Sequence, residues 1–268
     1  MSGGEWMSRE QQPCWGDMFR IRAPHDRERA AKSERVALSK EELLTEAGIR
    51  RLLREAKRLY RCADEKVAAS LFMKRYAHPL AGGGMHAFSR LGQLLDPEKW
   101  SFTLILDASG DIHVLGEPEL EPCWGEPRSL ARERQIELLF KGHFNRLFQL
   151  MNQVSGISIK VLWANVANVL EYYYDLWAIE AHTTAQELIL QEDRDWVLHE
   201  AAGALYGQYE ANPLAFTYTV IPHPAQEGNM LRIREVCCFK FRSDQGLHCT
   251  TCPHITERQR ADICKLYQ

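Results

Sequence analysis

The stretch from Ser129 to Ala178, SLARERQIELLFKGHFNRLFQLMNQVSGISIKVLWANVANVLEYYYDLWA, decides the fold class. In its first half Leu130, Ile136, Leu139, Phe140, Phe144, Leu147 and Met151 recur at helical spacing, which predicts a helix from Ser129 to about Val154. Gly156 interrupts the pattern, and a second helix follows from about Ser158 to Ala178. The two should pack antiparallel across that loop. The apolar run from Ile157 to Ile179 is broken by Lys160, Asn165, Asn168, Glu171 and Asp175, which a bilayer would penalise, so no transmembrane segment is expected.

Upstream, Phe102 to Leu106 and Ile112 to Leu115 are β-favouring runs around Asp107, Ser109 and Gly110, and read as a hairpin. Before it, Ser39 with Glu42 predicts a capping box that opens a helix broken at Gly48, and a further helix covers Asp64 to Tyr76. The run Gly82-Gly83-Gly84 reads as a turn before a helical stretch from Met85 to Leu94. It lacks the Lys-Ser/Thr that would make it a phosphate loop. Residues 1–38 show no sustained period and are expected to form an irregular arm with one charged helix around Asp26 to Arg35.

Downstream, a third helical segment from Thr184 to Tyr206 is expected to break near Asp193. Phe216 to Ile221 and Met230 to Val236 are strand-like around a Pro/Gly turn, and Ile255 to Tyr267 ends the chain as a short helix. The expected fold is α+β, helix-rich, with a small antiparallel β component. Its divisions are an arm (1–38), an N-terminal subdomain of helices and hairpin (39–125) and a C-terminal helical subdomain (126–268). The 268 residues, 45% hydrophobic and 26% charged, suit a globular protein with a real core. A net charge of -3 gives no electrostatic reason for a nucleic-acid partner. No charged segment followed by an apolar core opens the chain, so no secretory signal is expected and a cytoplasmic location follows.

In a reducing compartment eight cysteines are free thiols or metal ligands rather than disulfides. Four of them, Cys14, Cys62, Cys123 and Cys264, scatter as core cysteines do. The other four crowd into CCFKFRSDQGLHCTTCP, residues 237–253, as Cys-Cys-x10-Cys-x2-Cys, which packing does not explain. A closed zinc site usually takes two Cys-x2-4-Cys knuckles, and only Cys249 with Cys252 fits one. Cys237 and Cys238 are adjacent and would point to opposite faces if the strand continued through them. An iron-sulfur cluster accepts thiolates from more divergent directions, so spacing favours iron-sulfur and leaves zinc open.

The segment Arg234 to Arg242 with Cys249-Thr250-Thr251-Cys252 resembles the FhuF-like ferric-siderophore reductases, whose signature is the double cysteine. SLFMKRY from Ser70, KVLWANVANVL from Lys160 and NPL from Asn212 resemble family segments in the same order, so the likeness spans roughly residues 65–255. It implies a [2Fe-2S] cluster on Cys237, Cys238, Cys249 and Cys252, within a cluster-binding segment 234–254, and recurrent arginines matched by Arg234 and Arg242. It also implies a cytoplasmic oxidoreductase that reduces Fe(III) to Fe(II) in imported siderophores, hydroxamate or citrate-hydroxamate in type.

Arg234, Lys240 and Arg242 could attract an anionic ferric siderophore, or be a solvated strand face. Trp163 and Asn165 could lie near a functional surface, or be a core tryptophan with a hydrogen-bonded asparagine. His248 and His254 bracket the second knuckle and would be ligands only if a cysteine were idle. The pairs Glu119/Glu121 and Asp193/Asp195 read as solvated. No flavin or nicotinamide fingerprint is present, so an external donor, a ferredoxin or a flavoprotein reductase, must supply electrons. The alternative is a siderophore-binding or interaction protein whose four cysteines hold structural zinc.

Overall fold

Ser39 caps the helix that follows it in the computed structural model. Its Oγ accepts from the Glu42 amide at 3.2 Å while the Glu42 carboxylate accepts from the Ser39 amide at 2.9 Å, the expected capping box. The structure describes residues 15–22, 34–244 and 246–266. A short helix, α1 (Trp15–Met18), leads to strand β1 (Ile21–Arg22), and β2 (Glu34–Ser39) precedes the capped helix α2 (Lys40–Leu43). Residues 34–38 are therefore strand, where an irregular arm was expected. Of the charged helix expected over 26–35, only Glu34 and Arg35 lie within the described residues, and both are in β2. Helix α3 (Glu46–Leu59) starts at Thr45, whose hydroxyl accepts from the Gly48 amide, so the helix break falls before Gly48 and not at it.

Helix α4 (Glu65–Ala77) does not stop at His78-Pro79. It passes through a π-helical turn, His78–Gly82, straight into α5 (Gly83–Leu91), so the three glycines are helical and form no turn. What they provide is close approach. A Cβ on Gly82 would sit 2.6 Å from the ring of Tyr173, and one on Gly84 2.6 Å from a Leu139 methyl. Without those Cβ atoms the helical run lies directly against the two elements that carry Tyr173 and Leu139.

Strands β3 (Gln93–Leu95), β4 (Thr103–Asp107), β5 (Ile112–Leu115) and β6 (Leu120–Pro122) come next. The expected hairpin β4–β5 is the centre of a four-stranded sheet ordered β1-β5-β4-β2, antiparallel except for the β1–β5 pair. β3 and β6 form a separate antiparallel pair.

The long helical stretch is α6 (Arg128–Ile136), a π-helical segment (Glu137–Phe144) and α7 (Asn145–Ser155), followed by α8 (Ile159–Ile179) after Gly156 at φ 68. The largest contact of α8 is with α4 rather than with α7. Helix α9 (Thr184–Asp195) ends in another π-helical turn, Trp196–Glu200. Asp193, read as solvated, is fully buried and clamped by Arg128 and Arg132, which ties α9 to α6. Burial pushes its carboxyl up and the arginines hold it down.

The antiparallel pair β7 (Tyr218–Pro222) and β8 (Met230–Arg234) delivers the chain into the cysteine loop, and α10 (Glu257–Leu266) follows it. The fold is helix-rich α+β, as expected. One buried cluster runs from Phe19 to Phe216 and a small second one gathers Cys237, Cys252 and Ile255. Among the described residues no helix is long and apolar enough to cross a membrane.

The glycine seam is open to test. Gly82→Ala should cost about 1–3 kcal/mol, because the added methyl overlaps the Tyr173 ring, read as a lower urea midpoint. An unchanged midpoint would show that the close approach of Gly82 to Tyr173 does not constrain the packing.

Candidate metal centre

Strand β8 ends at Arg234 and the chain bends at Glu235-Val236, so Cys237 and Cys238 are not in a pleat and need not point to opposite faces. Phe239 follows in the left-handed region at φ 62 and starts a short 3₁₀ turn, Lys240–Arg242. The second half of the loop closes a turn in which the Cys252 amide donates to the Cys249 carbonyl at 3.1 Å. The Arg234 amide donates to Thr251 O at 3.1 Å and stitches the end of β8 to this turn. Arg260, buried on α10, donates to the carbonyls of Thr250, Cys252 (3.0 Å) and Ile255 (3.4 Å) and so fixes the turn from its other side. Cys264, on the same helix, is buried outside the cluster that holds Cys237 and Cys252.

The four sulfurs meet as two pairs. Cys238 Sγ lies 3.5 Å from Cys249 Sγ, and Cys237 meets Cys252 in the small cluster against Ile255. Among the described residues no group of three or more His, Cys, Asp or Glu side chains is placed to hold a metal ion. Two N–H groups face the sulfurs, Arg234 Nη2 donating to Cys238 Sγ at 3.3 Å and the Phe239 amide to Cys237 Sγ at 3.3 Å, and His248 Nδ1 lies 3.4 Å from Cys252 Sγ. The His248 ring is itself stacked on Phe241, 4.6 Å away.

Charge around the sulfurs is uneven. The hydrogen bond from the Cys249 thiol, with the positive charges of Arg234 and Lys74, pulls the Cys238 thiol down to about 4 against the cost of burial. Its partner Cys249 is pushed up by donating that bond and by burial, and burial raises Cys237 to about 11. Arg234 is only 4% exposed, and among the described residues it forms no ion pair with a carboxylate. A buried guanidinium is costly unless a negative group accompanies it. Here the groups it faces are cysteine sulfurs. Four clustered cysteines, N–H donors at two of the sulfurs and a buried cation form a donor set that fits a negatively charged iron-sulfur cluster.

A strut joins the loop to the helical core. Asn165, on α8, donates to the carbonyl and hydroxyl oxygens of Ser70 at 3.2 and 3.0 Å, and Ser70 Oγ donates to Cys238 O at 2.9 Å. Trp163, two residues before Asn165, lies elsewhere. It is 1% exposed in the aromatic core, with Nε1 donating to the Tyr209 hydroxyl at 3.1 Å. Arg242 turns back to Asp64, the N-cap of α4, at 2.9 Å. Lys240 lines a cleft with Lys74 and Arg75 of α4. Ser70, Lys74 and Arg260 were not singled out from sequence. The first two fall inside the quoted SLFMKRY segment, which was the available signal.

No curated protein matches this chain. A family model described as "Ferric iron reductase FhuF-like transporter" matches residues 70–219. The match begins at Ser70, takes in Lys74 and Asn165, and ends at the first strand of the hairpin that leads to the cysteines. With more than half of its length matched, the chain belongs to the FhuF-like ferric iron reductase family.

Proposed function

We propose that this protein is a siderophore-iron reductase that holds a [2Fe-2S] cluster on Cys237, Cys238, Cys249 and Cys252 and releases iron by one-electron reduction of a ferric siderophore. The observation that carries the reading is the buried Arg234, aimed at a cysteine sulfur in a loop whose four sulfurs fall into two pairs. Cys237 and Cys238 with Cys249 and Cys252 would hold the cluster, and two sulfur pairs suit a group with two irons. A structural zinc ion needs all four sulfurs around one centre. When bound, the cluster supplies one electron at a time.

The chain's own residues set the conditions for that chemistry. Arg234 and the Phe239 amide direct hydrogen bonds, and Arg234 also positive charge, at the sulfurs, which favours the reduced state of the group they hold. Asn165 and Ser70 hold the Cys238 backbone, and Arg260 holds the 249–252 turn, so the ligands keep their places when charge changes. The oxygen donors of siderophores suit Fe(III) and hold Fe(II) far less tightly, so a single electron frees the metal and spares the chelator. A ferredoxin or flavoprotein reductase would reload the protein in the cytoplasm.

Two experiments test this. Chemically reduced protein mixed with ferric hydroxamate or citrate-hydroxamate chelates should yield Fe(II), trapped by a ferrous-specific dye in step with reoxidation. If none of these chelates reoxidises the protein, the reductase assignment fails. Among ligand variants, Cys249→Ser should abolish the visible absorption of the cluster and Cys264→Ser should leave it intact. Loss in both would make Cys264 a ligand in place of one of the four.

A further inference from the structure

The four sulfurs are not equally covered. Cys237, Cys238 and Cys252 are 6%, 1% and 2% exposed, whereas Cys249 is only partly buried. Ile255 packs with Cys237 and Cys252, and Ile263 of α10 packs against that group. The buried Arg234 guanidinium lies against Cys238, and the Ser70–Asn165 strut stands behind the Cys238 backbone. Cys249, with its sulfur 3.5 Å from that of Cys238, is the cysteine left at the surface. Its neighbours in sequence share this exposure, with Leu247 44% exposed and His248 and Thr250 half-buried.

One lysine stands beside this open edge. Ser70 touches the Cys238 backbone, and Lys74 lies one helical turn further along the same face of α4, about 5.4 Å of rise. It is half-buried and lines a cleft that opens between α4 and the 240–243 turn. Among the described residues no carboxylate pairs with it. Its field reaches both sulfurs of the edge. After the hydrogen bond from Cys249 and against burial, Arg234 and then Lys74 hold the Cys238 thiol down. At Cys249, raised first by its hydrogen bond to Cys238 and then by burial, Lys74 and Arg234 offset part of the rise.

Coverage and charge act together here. Electron transfer weakens steeply with distance, so an electron leaves a buried group through its thinnest cover, which is the Cys249 side. A cation at that mouth draws in negatively charged reagents and repels positive ones, and salt weakens both effects. The same charge favours the reduced state of the group behind it.

We propose that electrons cross between the cysteine-held group and its redox partners at the Cys249 edge, and that Lys74 is the positioning charge that governs which reagents reach that edge. The proposal rests on the cluster reading and is independent of the siderophore. In each outward crossing the group loses one electron and the oxidant gains it, and no proton or covalent bond changes hands.

Two one-electron oxidants of opposite charge, ferricyanide and tris(phenanthroline)cobalt(III), test it by stopped flow on chemically reduced full-length protein. The ratio of their rates is the readout, because an altered driving force moves both rates the same way and an altered port moves them in opposite ways. Lys74→Glu should lower the ferricyanide-to-cobalt ratio about tenfold at low salt, less at high salt. Lys74→Gln should shift it in the same direction by less, and Lys74→Arg should keep the wild-type ratio. The reduction potential, read by spectroelectrochemical titration, should fall with Lys74→Glu and hold with Lys74→Arg, which a merely structural lysine would not produce. Arg258→Glu makes an equal charge reversal at an exposed position of α10, on the Cys252 side, and should leave the ratio unchanged. A ratio that ignores Lys74, a ratio that follows Arg258 instead, or an unmoved potential overturns the proposal. Protein that bleaches and reoxidises normally with such a result would lose the port and keep the cluster. Protein with no reducible chromophore would lose both.

Discussion

The hydrogen bond from Ser70 Oγ to the carbonyl of Cys238, backed by Asn165 on both oxygens of Ser70, joins the cysteine loop to the helical core. Each such bond is worth only about 1 kcal/mol, but all three are buried, so breaking one strands polar groups away from water. Because Ser70 is on α4 and Asn165 on α8, the position of Cys238 depends on how these two helices pack. Their contact is the most extensive between any two helices of the described residues. The glycine seam serves the same packing, since Gly82 brings the continuation of α4 against Tyr173 of α8.

Arg234 completes the connection from the other side. Its amide binds the 249–252 turn and its guanidinium faces Cys238. One residue thus ties the hairpin, the first cysteine pair and the second together, and Arg260 braces the turn from α10. The loop is irregular, yet its backbone carbonyls are taken up by buried side chains from helices, which is how an irregular segment becomes a precise scaffold.

Much of this was legible in the residues. The period of the 129–178 stretch, the β4–β5 hairpin, the Ser39 capping box and the β7–β8 pair lie where local pattern placed them, because each is decided by neighbours in sequence. Strand β2 was not legible: its pairing with β4 depends on residues far along the chain. Gly82-Gly83-Gly84 reads locally like a turn, and only the positions of Tyr173 and Leu139 reveal it as a seam. Asp193 looked solvated because Arg128 and Arg132 lie on another helix. In the site, four crowded cysteines were visible from spacing. Ser70 and Arg260 were hidden, since a serine in an apolar helix and an arginine in a polar one carry no signal until their carbonyl partners are in view.

We propose that the paired sulfurs hold two irons. Metal and acid-labile sulfide analysis of anaerobically purified protein tests it most directly. The protein should be red-brown, carry about two irons and two sulfides per chain, and bleach on reduction. Colourless protein carrying one zinc and no sulfide would contradict it, and would leave the four cysteines a structural site in a protein that binds siderophores without reducing them.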